Sequence, residues 1–244
     1  MKPFLLLQLR PIDAASDNEY QAFLKYGNLR ENEVHRIRME KTGISEINLN
    51  DYSAVIVGGG PANVSDPEVK KDASQIQFES DLNDLLKIII ENDFPFLGAC
   101  YGLGALVKYM HCEVSQGKYS EDVGAIAIHL TDEAENDPLT SELPKEFFVL
   151  GGHKESCISL PANAVLLASS KDCPNQMIRI KNNIYATQFH PELDQFGLAL
   201  RINIYKNAGY FPPEDVEKLI NRAKGREISI PMIILHRFVQ RYKK

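Results

Sequence analysis

Phe94-Pro95-Phe96-Leu97-Gly98-Ala99-Cys100-Tyr101-Gly102-Leu103-Gly104 opens on a short apolar run, turns at two glycines that flank a cysteine, and continues to Met110 with helical spacing. A brief apolar run stopped by turn residues and followed by such spacing predicts a buried strand, Phe94–Leu97, leading into a helix, Tyr101–Met110. The pattern repeats upstream. Tyr52 to Val57 runs into Gly58-Gly59-Gly60-Pro61, and Asp72 to Glu91 reads as an amphipathic helix with Ile76, Leu82, Leu85, Leu86, Ile89 and Ile90 on its apolar side. Further back, Val34 to Met39 alternates as a strand, Tyr20 to Asn28 is helix-like, and Phe4 to Leu9 reads as a first strand. Strands alternating with helices imply parallel βαβ units. The expected fold is therefore α/β, a doubly wound, mostly parallel sheet flanked by helices, with ligands at the carboxyl ends of its strands.

Downstream the character changes. Val123–Leu130, Phe147–Leu150, Ala164–Ala168, Met177–Ile180 and Ile184–Gln188 are closely spaced strand candidates, which predicts an added antiparallel β region folded onto the parallel core. Leu193–Ala208 and Pro213–Lys224 read as helices, and Ile228–Tyr242 as a last helix interrupted early by Pro231. No repeat, low-complexity tract or long linker divides the chain, so residues 1–244 are expected to form a single domain.

Composition narrows the function. The 244 residues hold 27 Lys and Arg against 33 Asp and Glu, a net charge of −6, which argues against nucleic acid or an anionic membrane as the main partner. The longest apolar stretch is broken by Glu91, Asn92 and Asp93, too short for a membrane span. Charges at Arg10 and Asp13 come too early for a signal peptide, so a cytoplasmic location is expected. Cys100, Cys112, Cys157 and Cys173 form no Cys-x-x-Cys pair, so reduced thiols are expected rather than disulfides or a metal site, and no cofactor is called for.

Cys100 has the unusual setting. Gly98-Ala99-Cys100-Tyr101-Gly102 fits a nucleophile elbow, in which a tight strand-to-helix turn excludes a Cβ on either side of the nucleophile. At a helix start the thiol would meet unpaired N–H groups and the positive end of the dipole, which favours the thiolate. Such a nucleophile needs a base, and Gln188-Phe189-His190-Pro191-Glu192 supplies an imidazole with a carboxylate two residues on, able to fix its tautomer. Gly59 and Gly60 lie in a loop whose N–H groups could face a developing negative charge, with the amide of Tyr101 as a further donor.

These three segments resemble the class I glutamine amidotransferase family of the triad type, and most of all the glutaminase domain of GMP synthetases. The resemblance covers roughly residues 50–205 and leaves a helical extension at about 212–244. It implies a flavodoxin-like sheet and hydrolysis of the glutamine side-chain amide, with Cys100, His190 and Glu192 as catalytic triad and no metal. Ammonia would pass to a separate ATP-using synthetase chain. The alternatives are a stand-alone hydrolase of γ-glutamyl amides or peptides, and an inactive regulatory module. Two departures stand out. Gly152-His153-Lys154-Glu155 lies where the family commonly has His-Gly-Asp, so His153 is not assigned a catalytic role. Gly104 stands where family elbows usually place a substrate-holding glutamine; the expectation is a lost polar contact and an opening of about one side chain's volume beside the pocket.

Overall fold

The computed structural model describes residues 2–207 and 211–244. Its strands and helices alternate through the first half as β1 (Phe4–Gln8), α1 (Asp13–Gly27), β2 (Val34–Arg38), α2 (Met39–Thr42), β3 (Val55–Val57), α3 (Ala73–Glu91), β4 (Phe96–Ala99) and α4 (Tyr101–Tyr109). The second half contributes β5 (Val114–Leu130), β6 (Glu146–Cys157), β7 (Ala164–Ser170), β8 (Met177–Ile180), β9 (Ile184–Thr187), α5 (Gln195–Tyr205), α6 (Val216–Ala223) and α7 (Ile230–Tyr242).

All nine strands join one sheet in the order β2-β1-β3-β4-β9-β8-β7-β5-β6. The pairings β1 with β2, β1 with β3, β3 with β4 and β4 with β9 are parallel, and those from β9 outward to β6 are antiparallel. The antiparallel strands thus continue the edge of the parallel sheet rather than folding onto it. This places β4, which leads into Cys100, between β3 and β9 in the interior of the sheet.

The central strands are apolar on both faces because helices cover both. Leu6, Ile56 and Leu97 point to the side where Phe23 of α1 and Phe238 of α7 pack. Leu5, Leu7, Val55, Val57 and Phe96 point to the opposite side, against Leu82 and Leu86 of α3 and Leu103 and Leu106 of α4. That two-sided burial is why these strands read as continuous apolar runs instead of alternating.

Three local expectations change. On α3 the buried positions are Phe78, Leu82, Leu85, Leu86 and Ile89, while Ile76 is exposed and Ile90 only half-buried. Pro231 does not interrupt α7; it sits in the first turn, where its missing N–H has no helical acceptor to lose. The Pro213–Lys224 segment opens as a 3-10 turn over Pro213–Asp215 before α6 begins. At α5 the carboxylate of Asp194 accepts from the Gly197 amide, which starts the helix after Leu193, and its expected last residue, Ala208, lies outside the described residues.

Candidate active site

Cys100 stands between the end of β4 and the first turn of α4 with φ 51° and ψ −93°. A non-glycine residue held there costs on the order of 1–3 kcal/mol, so the surroundings must impose it. They do. Its amide donates to the Thr187 carbonyl at the end of β9 (2.7 Å), and its carbonyl accepts from the amide of Gly104 (3.1 Å), the first turn of α4. The flanking glycines are needed for space: a Cβ on Gly98 would lie 2.7 Å from the Gly102 carbonyl carbon, and one on Gly102 would lie 3.0 Å from the Val57 carbonyl oxygen.

His190 follows β9 at the same end of the sheet. Its Nδ1 lies 3.2 Å from Glu192 Oε1. A carboxylate only accepts, so this contact puts the proton on Nδ1 and leaves Nε2 with its lone pair. Gly59 joins the two halves of the site. The position that a Cβ on residue 59 would occupy is 3.2 Å from His190 Nε2 and 3.3 Å from Cys100 Cβ. The amides of Gly59 and Gly60 have no acceptor among the described residues, and the Tyr101 amide is directed at the Cys100 sulfur. Gln188 Nε2 also approaches that sulfur, at 3.9 Å. Cys100, His190, Gly60, Tyr101 and Glu155 line one cavity of about 100 Å³.

Beside the imidazole lies a buried charge network, two of whose members, Arg10 and Arg201, line the cavity, and which sequence reasoning missed. Arg201 of α5 donates to Glu192 Oε1 (3.0 Å) and lies 3.9 Å from Glu19 Oε1 of α1. Arg10, just after β1, donates to Glu19 Oε1 at 2.7 Å, and Gln8 donates to its other oxygen at 2.8 Å. Two guanidinium groups and two carboxylates thus compensate one another out of water. The one signal in the sequence was Gln8, a polar residue inside the apolar run Phe4–Leu9; nothing in the spacing of Glu19 or Arg201 linked them to the site.

Burial pushes the Cys100 thiol up to about 12, reinforced by the negative charge of Glu155. This overturns the thiolate expectation: the helix start is present, but loss of water around the sulfur outweighs it. Burial likewise lowers the basicity of His190; Glu192 partly offsets this, and the cations of Arg201 and Arg10 add to the lowering. Burial disfavours the charge on Glu192 too, but His190 and Arg201 together hold its carboxyl well below the usual range. At rest the pair is therefore neutral thiol and neutral imidazole.

The other expected features resolve as follows. Gly104 lines the cavity, but the room beside it is smaller than the expected side chain's volume, because a Cβ there would meet Val64 Cγ2 at 3.2 Å and Glu155 Oε1 at 3.5 Å. The ring nitrogens of His153 are taken by the Glu155 carbonyl (2.9 Å) and Glu121 Oε2 (2.8 Å), a structural arrangement. Two groups of possible metal ligands occur among the described residues, Glu121 with His153 and Cys173, and Glu19 with His190 and Glu192. In the second group Arg10 and Arg201 already neutralise the carboxylates.

A family model, glutamine amidotransferase class-I, matches residues 12–196, beginning earlier than the recognised motifs. The GMP synthase [glutamine-hydrolyzing] of Thermosipho melanesiensis is 34% identical over 155 residues, covering 62% of this chain and 27% of that protein. The chain thus spans about a quarter of the length of such GMP synthases. A GMP synthase [glutamine-hydrolyzing] subunit from Thermoplasma volcanium is 27% identical over 181 residues, covering 73% of this chain and 80% of that one. Among solved structures, a glutamine amidotransferase from Thermotoga maritima superimposes with a TM-score of 0.77 at 21% identity, covering 99% of this chain and 98% of that one. Among the described residues no helix is long and apolar enough to cross a membrane.

Proposed function

Because the chain belongs to the class-I glutamine amidotransferase family, we propose that it hydrolyses the glutamine side-chain amide through Cys100, His190 and Glu192, and delivers the ammonia to a separate ATP-using synthetase chain. The observation that carries this reading is the convergence at residue 59, where the thiol carbon and the free imidazole nitrogen lie within 3.3 Å of one point.

Cys100 Sγ attacks the γ-carbonyl carbon while His190 Nε2 takes the thiol proton. The carbonyl oxygen becomes an oxyanion, met by the unpartnered amides of Gly59 and Gly60. Collapse breaks the carbon–nitrogen bond, His190 returns the proton to the departing ammonia, and a γ-glutamyl thioester remains on Cys100. Water then attacks the thioester carbon and gives its proton to Nε2; glutamate leaves and the thiol is restored. Glu192 keeps Nδ1 protonated and stabilises the imidazolium formed in each half-reaction. The neutral resting pair means that charge separates only when a substrate oxygen is present to receive it.

The choice of ammonia acceptor follows the likeness to the glutamine-hydrolysing GMP synthase chain of Thermoplasma volcanium. A second reading, hydrolysis of larger γ-glutamyl amides or peptides, is favoured by the apolar wall of Leu198, Ile202 and Phe211 in the same cavity, which suits a leaving group bulkier than ammonia. Ammonia release from glutamine and amine release from γ-glutamyl dipeptides, each with Cys100→Ala as control, decide between them. Turnover of glutamine that rises when a separate GMP synthetase chain, ATP and its nucleotide are added supports the first. Fast dipeptide cleavage with no response to such a chain supports the second, and no turnover of either compound refutes both.

A further inference from the structure

A second cluster of titratable side chains joins a carboxylate, an imidazole and a thiol where β5, β6 and the segment between β7 and β8 meet. Glu121 comes from β5, His153 from β6, and Cys173 from that segment. One carboxylate oxygen, one ring nitrogen and the sulfur all lie within 4.8 Å of one another. The Glu121 and His153 side chains are 6% and 2% exposed, and Cys173 is fully buried. Among the described residues the only ion-pair partner of Glu121 is His153. A carboxylate taken out of water is paired or holds a metal.

The hydrogen bonds define where a cation belongs. His153 Nδ1 lies 2.9 Å from the Glu155 carbonyl oxygen, which only accepts, so Nδ1 carries a proton. Nε2 then faces Glu121 Oε2 at 2.8 Å, where acceptor would meet acceptor unless a positive species stands between them. In the metal-free chain that species is a proton. A tautomer fixed by a backbone carbonyl is also how metal-binding histidines are oriented. The sulfur is held in place too: the Ser170 amide donates to the Cys173 carbonyl (2.8 Å), the Cys173 amide donates to Ser170 Oγ (3.0 Å), and the Asn175 amide is directed at the sulfur, which favours a thiolate. Gln176 brings a fourth group. It is fully buried, its Nε2 donates to Glu121 Oε2, and its Oε1, on the same carbon, has no hydrogen-bond partner. A buried amide oxygen left unmet needs an explanation, and a cation at the cluster supplies one.

We propose that Glu121, His153 and Cys173 are ligands of a structural zinc ion, with the Gln176 amide oxygen as the fourth. A donor set of oxygen, nitrogen and sulfur suits Zn²⁺, whereas Mg²⁺ and Ca²⁺ take oxygen. A zinc tetrahedron sets such atoms about 3.3–3.6 Å apart, so three atoms already within 4.8 Å need to close by no more than about 1.5 Å. The ion displaces the proton between His153 and Glu121 and the proton of the Cys173 thiol, and the carboxylate and thiolate then balance its two charges. It takes no part in the chemistry at Cys100. It fastens β5 to β6 and to the segment before β8, and so braces the stretch of β6 whose Glu155 lines the catalytic cavity.

The test is metal uptake by the full chain after dialysis against EDTA. One equivalent of Co²⁺, a coloured stand-in for zinc, should produce thiolate-to-metal charge-transfer absorption and the visible bands of a tetrahedral site, and Zn²⁺ should abolish both by displacing it. Zinc loading followed by gel filtration should leave one ion per chain, with a Kd below about 1 μM and a melting temperature that rises with zinc. Cys173→Ser should remove the charge-transfer band and weaken zinc binding at least about tenfold, the least that loss of even a supporting group costs. Cys100→Ala should keep both. Absence of the band, or of retained zinc, in the unaltered chain overturns the assignment without any variant. A band that survives Cys173→Ser or vanishes with Cys100→Ala overturns it as well, because the metal then sits elsewhere. Should Cys173→Ser fail to fold, Cys100→Ala/Cys112→Ala/Cys157→Ala, whose one remaining thiol is Cys173, decides the same point: the band persists there or the assignment falls.

Discussion

Arg201 reaches both Glu192 and His190: its Nη2 donates to Glu192 Oε1 at 3.0 Å while its Nη1 lies 3.4 Å from Nδ1 of His190. One cation thus leans on both the orienting carboxylate and the ring it orients. The carboxylate favours the imidazolium and the guanidinium opposes it.

Replacing Arg201 with Met removes that opposition, so protonated His190 becomes easier to form and its pKa rises. A base is active only when unprotonated, so the acid limb of the kcat/KM profile moves to higher pH. The Arg201→Lys variant keeps the charge and returns the limb toward its original position. Breaking the buried pair also costs about 3–5 kcal/mol of stability. Ammonia release measured across pH 5–9 checks the first claim; a lower melting temperature with an unmoved limb would reduce Arg201 to a structural brace.

Gly59→Ala should abolish turnover while sparing the fold. The new methyl would stand between His190 and Cys100, and the imidazole must swing away from the thiol to admit it. A loss of at least about hundredfold in kcat is expected, in line with the 10²–10⁴-fold contribution of a positioned general base. Melting curves and glutamine hydrolysis, run side by side, decide it; activity within threefold of wild type would remove residue 59 from the site's geometry.

The raised thiol makes Cys100 a slow target for simple alkylating agents. With its pKa pushed up to about 12, the reactive thiolate is scarce at neutral pH and increases tenfold per unit until that value is approached. Iodoacetamide labelling at Cys100, followed by peptide mass spectrometry from pH 7 to 10, should rise steeply throughout. A plateau near pH 7 would mean that the sulfur is ionised at rest.

Alkali should unfold the protein through its buried thiols. Burial pushes Cys157 and Cys173 up to about 12 in the fold, against an ordinary value near 8.5 in the unfolded chain. Between those values the folded state binds more protons, so stability is complete below the unfolded pKa and falls as pH rises, by at most about 3 kcal/mol per unit for the two groups. Urea midpoints at pH 8, 9 and 10 test this; a Cys157→Ala/Cys173→Ala protein should show a shallower decline, and identical slopes would refute it.

The parallel half of the fold was legible because its strands are buried on both faces and stopped by glycine or proline, as at Val57-Gly58 and Leu97-Gly98. The extent of β5, from Val114, was not: its first residues are half-exposed or exposed and leave no apolar signature. At the site, Cys100, His190 and Glu192 announced themselves by local spacing. Arg10, Glu19 and Arg201 did not, because their link is tertiary: three elements far apart in sequence meet beside the ring. Gly104 misled for the same reason. The missing side chain was visible in the sequence, while Val64 and Glu155, which occupy its space, come from elsewhere.

The elbow's amide is tied to Thr187, the last residue of β9, and β9 pairs with β4 only after the whole β5–β8 excursion has been made. Gln188 follows Cys100 by 88 residues, an interval on the order of 10 s for a ribosome. During that interval the nascent chain carries a cysteine with neither its base nor the strand that forces its backbone into shape. Hydrolytic competence therefore arrives late and in one step, with the insertion of β9, and a chain truncated or misfolded before that point exposes an ordinary thiol rather than a leaky hydrolase.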